Sequence, residues 1–189
     1  MAKPSAYPVS LEVDYQEDLG RVSTFFRGIL IIPAGLILGL IATQLFFPTL
    51  LMILFRHKYP RWWFDWNVAL TKFAARVVSY AALLTDEYPS TEREQSVHIE
   101  IAFPNAKKDL KPGMPLVKWL LAVPHWALLS VLGAAAGLCV FVSWFAILAT
   151  GRFPKGLFRF VVGVGRWTLR AASYAFLLVT DRYPPFSLD

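Results

Sequence analysis

WLLAVPHWALLSVLGAAAGLCVFVSWFAILATG, Trp119 to Gly151, runs for 33 residues without an Asp, Glu, Lys or Arg. A helix needs about 20 apolar residues to cross a bilayer core of ~30 Å. Gly28 to Phe55 is a second such run, of 28 residues. Buried helices of soluble proteins are seldom this long or this uniformly apolar, so both runs are expected to be transmembrane. As helices they would measure roughly 50 and 42 Å, so they must tilt, bend or begin in the interface. Pro33 and Pro124 stand early in each, where a missing N–H allows a bend.

The composition points the same way. Of 189 residues 56% are hydrophobic and 17% charged, with a mean hydropathy of +0.48. Soluble chains carry about 25% charged residues, so lipid is the expected solvent. The net charge of +6 fits basic residues at cytoplasmic helix ends, and no nucleic-acid partner is expected. The N-terminus has no basic-then-apolar signal pattern, so nothing need be cleaved. Cys139 is the single cysteine, which excludes an internal disulfide.

Around the apolar runs the chain repeats itself. RGILIIPAG (Arg27 to Gly35) matches KWLLAVPHW (Lys118 to Trp126) at an offset of 91, proline on proline. ILFRHKYPRWWFDW matches ILATGRFPKGLFRF at an offset of 94, which also places Lys72 on Arg166, Arg76 on Arg170 and SYA on SYA. Each half ends alike, in LLTDEYP and LLVTDRYPP. Upstream of each half, YPVSLEVDY and SVHIEIAF alternate apolar and polar residues, the pattern of a half-exposed strand. The expected division is an N-terminal strand segment (1–20), membrane repeat 1 (21–90), a connector with a strand (91–115) and membrane repeat 2 (116–189). The fold class is mainly α: an integral membrane protein with a tandem repeat of two helix pairs and short strands on one face.

The second helix of each pair is amphipathic. Arg61, Asp65, Lys72 and Arg76 in one, and Lys155, Arg159, Arg166 and Arg170 in the other, follow spacings of 4, 7 and 4. At 100° per residue each set forms one narrow stripe. Such helices either lie in the headgroups or cross with the stripe facing a protein interior or wet cleft. Crossing costs roughly 2.5–3.5 kcal/mol for each central cation, and no acidic residue within the apolar runs offers a partner. Four crossings would place both basic turns (56–61 and 151–155) in the cytoplasm and leave the termini and both strands together on the opposite face, where the strands can pair. Four crossings are therefore expected, with the second helix of each pair lying in the interface as the alternative. Lys72, Arg76, Arg159, Arg166 and Arg170 are the candidate contacts for lipid phosphate, an anion or a partner subunit.

Chemistry is sparse. His57, His98 and His125 stand apart without metal-ligand spacing, and each is expected to be structural or interfacial. No phosphate loop, dinucleotide fingerprint or nucleophile elbow occurs, so no catalytic residue, metal or cofactor is expected. VVGVGRW (Val161 to Trp167) holds a G-x-G in an apolar helix, where small residues let neighbouring helices approach. Gly35 with Gly39, and Gly133 with Gly137, form G-x-x-x-G pairs that favour close helix packing, within the chain or between copies. Thr85, Asp86, Tyr88 and Pro89, repeated as Thr180, Asp181, Tyr183 and Pro184, form an exit motif in which proline stops the helix and tyrosine sits at interfacial depth.

The pattern YPV-x-L-x-V, KWLLA-x-PH, GRFP-x-G-x-F-x-FVVGVGRW-x-LR and TD-x-YPPF resembles a widespread bacterial integral-membrane family known only as a domain of unknown function. The resemblance spans nearly the whole chain and is most faithful from Lys118 to Phe186; RHKYPRWW and YPST depart from it in the first half. It implies a bacterial membrane protein and carries no reaction or cofactor; the expected location is the inner membrane, with several crossings.

The expected function is a non-enzymatic membrane protein, an oligomeric scaffold or accessory subunit, with lipids, copies of itself or other membrane subunits as partners. An anion channel or transporter using the basic stripes is the alternative. A lipid-directed enzyme using Asp86 and Asp181 is third.

Overall fold

Prolines and left-handed residues cut the apolar sequence into helices at matching places in the two halves. The computed structural model describes residues 7–42 and 46–189. Residues 1–6 of the N-terminal segment and 43–45 of the first apolar run lie outside the described residues. In chain order the elements are β1 (Val9–Val13), α1 (Arg21–Phe25), α2 (Arg27–Leu30), α3 (Ile32–Ala42), α4 (Phe46–Arg56) and α5 (Arg61–Ala81). There follow β2 (Val97–Ile101), α6 (Ala106–Asp109), α7 (Pro115–Leu121), α8 (Val123–Thr150) and α9 (Lys155–Ala175).

The breaks have local causes. α2 and α7 are capped at Ile31 and Ala122, each two residues before a proline that lacks an N–H, although Ile31 and Ala122 themselves keep helical bonds to Arg27 and Lys118. The long helices then end on left-handed residues, Gly151 at φ 76° and its repeat counterpart His57 at φ 46°. Glycine is the usual residue for such a cap; in the first half His57 takes the strained angle and reaches the Leu110 carbonyl at 2.7 Å through Nε2. Pro60 and Pro154 then lead into α5 and α9.

Two stretches, Arg27–Arg56 and Val123–Thr150, are long and apolar enough to cross a membrane. Each packs on its own second helix through a heptad-like stripe. Ala34, flanked by Ile31, Leu38 and Ile41, meets Leu70, Phe73 and Val77 of α5. His125, Leu129, Ala136, Ser143 and Ile147 are the buried residues of α8, and they face α9. The two helices run antiparallel along their length, with Ala122 against Tyr174 and Ala175 at one end and Ile147 near Phe153 and Phe158 at the other.

β1 and β2 pair antiparallel, Val9 opposite Ile101, Leu11 opposite Ile99 and Val13 opposite Val97. Val9, Leu11, Val97 and Ile99 are buried, while Ser10, Glu12, His98 and Glu100 are exposed on the outer face. The strands are exchanged between the halves. β1 precedes the first helix pair yet lies along α9, and β2 precedes the second pair yet lies along α5. Tyr15 packs edge-on to Phe158 beneath Lys155, and Phe103 packs edge-on to Phe64 beneath Arg61, at matching positions.

The contacts along α9 fix the direction of the sheet. Tyr7 reaches the Arg170 carbonyl, Leu11 lies beside Gly165 and Arg166, Tyr15 reaches Phe153, and Leu19 N–H donates to the Gly151 carbonyl at 2.8 Å. The sheet therefore lies alongside the helices at mid-length and not beyond their ends. On the helical wheel, the residues of α9 that meet β1 lie roughly opposite those that meet α8. The layers are sheet, then α5 and α9, then the long helices.

This arrangement corrects one expectation. Turn 56–61 lies beside Leu110 and Leu177, whereas turn 151–155 lies beside Tyr15 and Leu19. The two basic turns stand at opposite ends of the helix bundle, separated by the 21 residues of α5, roughly 32 Å. They do not stand together at one end of it. Leu188 and Asp189 lie over the middle of α9, at Gly163 and Arg170.

Candidate functional site

The exit motifs turn out to be half of a duplicated cation clamp. In the first half Arg27, 4% exposed, donates through Nη1 to the Thr85 carbonyl at 3.0 Å and through Nη2 to Asp86 Oδ1. Its guanidinium lies 3.9 Å from the centroid of the Tyr80 ring, a cation–π contact. Asp86 also accepts from the Gly20 N–H and from Ser23 Oγ at 2.9 Å. In the second half Lys118, fully buried, donates to the Thr180 carbonyl at 2.8 Å and lies 2.7 Å from Asp181 Oδ1. Tyr174 is again beside the cation, with Nζ 5.3 Å from its centroid. Asp181 Oδ2 accepts from the Lys111 N–H at 2.8 Å. Burial pushes the Lys118 ammonium below its ordinary range, and Asp181 opposes that shift.

The threonines shape the turn: Thr85 Oγ1 accepts from the Glu87 N–H and Thr180 Oγ1 from the Arg182 N–H, both at 3.1 Å. Each clamp fastens the return of a second helix to the start of its own first helix. The exit reading is thereby corrected in its mechanism. Pro89 and Pro184 do not stop the helices, which end at Ala81 and Ala175. The chain turns instead at Leu83 (φ 62°) and Leu178 (φ 57°), two buried leucines in the left-handed region. Tyr88 packs on Tyr80, and Tyr183 donates to the Leu121 carbonyl at 3.1 Å. Arg27 and Lys118 were not among the candidates; the signal was a cation six residues before each matched proline.

The basic stripes are the faces that receive the strands and the loops beside them. Arg166 Nε donates to the Leu11 carbonyl of β1 at 2.8 Å, and Arg76 Nη1 to the Ser90 carbonyl at 2.5 Å. Arg170 Nη2 donates to the Ser187 carbonyl at 3.1 Å and to the Asp189 carbonyl. Lys72 and Arg159 are exposed on the same stripes.

Each histidine makes a contact within the chain. His125 is buried; its Nδ1 accepts from Trp167 Nε1–H at 2.8 Å and its ring stacks on Phe186 at 4.1 Å. His98 meets Asp14 at 3.0 Å across the sheet. Among the described residues no three of His, Cys, Asp and Glu come together as metal ligands.

The glycines divide into two kinds. A Cβ on Gly163 would stand 2.9 Å from Leu188, and one on Gly165 3.4 Å from Leu11. The G-x-G thus admits the C-terminal tail and a strand, where neighbouring helices were expected. A Cβ on Gly35, Gly39, Gly133 or Gly137 would meet nothing within 4 Å. Among the described residues these pairs do not pack helices within the chain.

The structure defines a mostly helical chain of two repeated units joined by a two-stranded antiparallel sheet. The chain belongs to the family described as Domain of unknown function (DUF4389), which it matches twice, over residues 21–91 and 115–187. No curated protein and no solved structure matches it.

Proposed function

We propose that this chain is a non-enzymatic protein of the bacterial inner membrane, acting as an oligomeric scaffold or as an accessory subunit of a membrane complex. The observation that carries this reading is the outer side of the long helices. Leu36, Leu40, Phe47 and Phe55 in the first, and Val131, Leu138, Phe141 and Phe145 in the second, are exposed. Exposed apolar area on this scale marks a lipid or protein contact. The two G-x-x-x-G pairs open onto the same surroundings, where a helix of another chain can approach closely. Lys72 and Arg159 remain available to lipid phosphate.

Arg76, Arg166 and Arg170 already donate to main-chain carbonyls of their own chain, which leaves an anion pathway along the stripes without support. Purification in a mild detergent, with every retained chain identified, tests the proposal. The expected result is an oligomer or a stoichiometric complex that is lost when Gly133 and Gly137 are both replaced by Leu. A clean monomer with no co-purifying chain contradicts it.

A further inference from the structure

We infer that the molecule lies within a single leaflet, its long helices in the plane of the membrane and its sheet in water, so that no helix crosses. The inference rests on the membrane reading above and concerns how the chain is seated. Long apolar helices would ordinarily be set upright. Here the position of the sheet excludes that. β1 lies along α9 and β2 along α5, and both helices run parallel to the long helices. An upright bundle would therefore hold the sheet at mid-depth in the hydrocarbon. Its outer face carries Glu12, His98 and Glu100, all exposed, with Asp14 beside them. Among the described residues each strand has a single strand neighbour; the Leu11 carbonyl on the outer edge of β1 accepts from Arg166, but open sheet edges are not found facing hydrocarbon because their remaining N–H and C=O groups have no partner there.

Turned flat, the same molecule sorts by depth. Polar and acidic groups of the sheet face water, away from anionic headgroups. Next come the charged stripes of α5 and α9, bearing the exposed Arg61, Lys72, Lys155 and Arg159. Trp62 and Trp66 are both exposed; by helical spacing Trp62 lies between the charged stripe of α5 and its α3-facing side and Trp66 on that side, next to the depth at which tryptophan collects. Deepest are the long helices, whose described residues are mostly exposed or half-buried and which are uncharged from Gly28 to Phe55 and from Trp119 to Gly151. An amphipathic body of this kind lies in the interface with its apolar side sunk into the acyl region.

The test is two-sided labelling. In a Cys139→Ala background, single replacements Lys58→Cys, Arg152→Cys and Glu12→Cys sample the two basic turns and the outer sheet, all at exposed positions. Intact spheroplasts and inverted membrane vesicles are treated with a membrane-impermeant maleimide. All three positions should react in one preparation and be protected in the other. Reaction of Lys58→Cys and Arg152→Cys in different preparations places the turns on opposite sides and overturns the single-leaflet seating, while the membrane reading stands. Recovery of the unsubstituted protein in the soluble fraction overturns the membrane reading itself.

Discussion

Asp86 and Asp181 show how one residue can hold a helix hairpin closed. Each accepts a buried cation from the start of the first helix and a backbone N–H from the preceding loop. Removing one partner of a buried pair costs about 3–5 kcal/mol, because the other charge is left uncompensated. Asp86 and Asp181 keep 26% and 18% of their side-chain surface exposed, so the low end, about 3 kcal/mol, is expected for Asp181→Ala. Denaturant unfolding in detergent measures it. Replacing both partners, Lys118→Met with Asp181→Leu, should recover most of the loss, as apolar substitutes for buried pairs commonly do. At Gly163 an added methyl meets Leu188 at 2.9 Å; Gly163→Ala should cost about 1–3 kcal/mol, whereas Gly133→Ala should be neutral or stabilise the isolated chain by up to about 1 kcal/mol. The clamp was half legible in the sequence. The TD motifs repeat visibly, but their partners stand 59 and 63 residues upstream, at the border of the apolar runs, where a cation reads as an ordinary helix-end charge.

At the scale of elements, two opposed effects meet where α5 and α9 end. A leucine held left-handed costs roughly 1–2 kcal/mol, which Leu178→Gly would relieve. Leu178 is also fully buried, and emptying such a site costs about 2–5 kcal/mol. The burial term is larger, so Leu178→Gly should lower stability in thermal unfolding despite the relaxed backbone; a rise would show that strain dominates. The period-4-7-4 stripes and the alternating strands could be read directly from residue spacing. That each stripe receives a strand could not, since a carbonyl partner such as that of Leu11 leaves no mark in side-chain identity. The same gap hides the position of the basic turns at opposite ends of the bundle: alternation shows that the strands can pair, but not that they run alongside the helices.

Over the whole molecule, the exchange of strands makes the two halves incomplete alone. Within 1–91, α5 lacks β2, and within 92–189, α9 lacks β1. The repeat itself was plain from the offsets of 91 and 94, and the family match finds it again. The crossing of strands between units is a property of the closed molecule, and pairwise alignment of the halves carries no trace of it. Two copies of one half could in principle satisfy each other, since an exchanged element passes between identical protomers as readily as between repeats. The most direct measurement is to produce 1–91 and 92–189 separately and together, and to follow their association and unfolding in detergent. Together they should co-purify one to one with a single cooperative transition, and alone each should be either unfolded or paired with its own copy. A cooperatively folded monomer of either half would contradict the exchange of strands on which the fold depends.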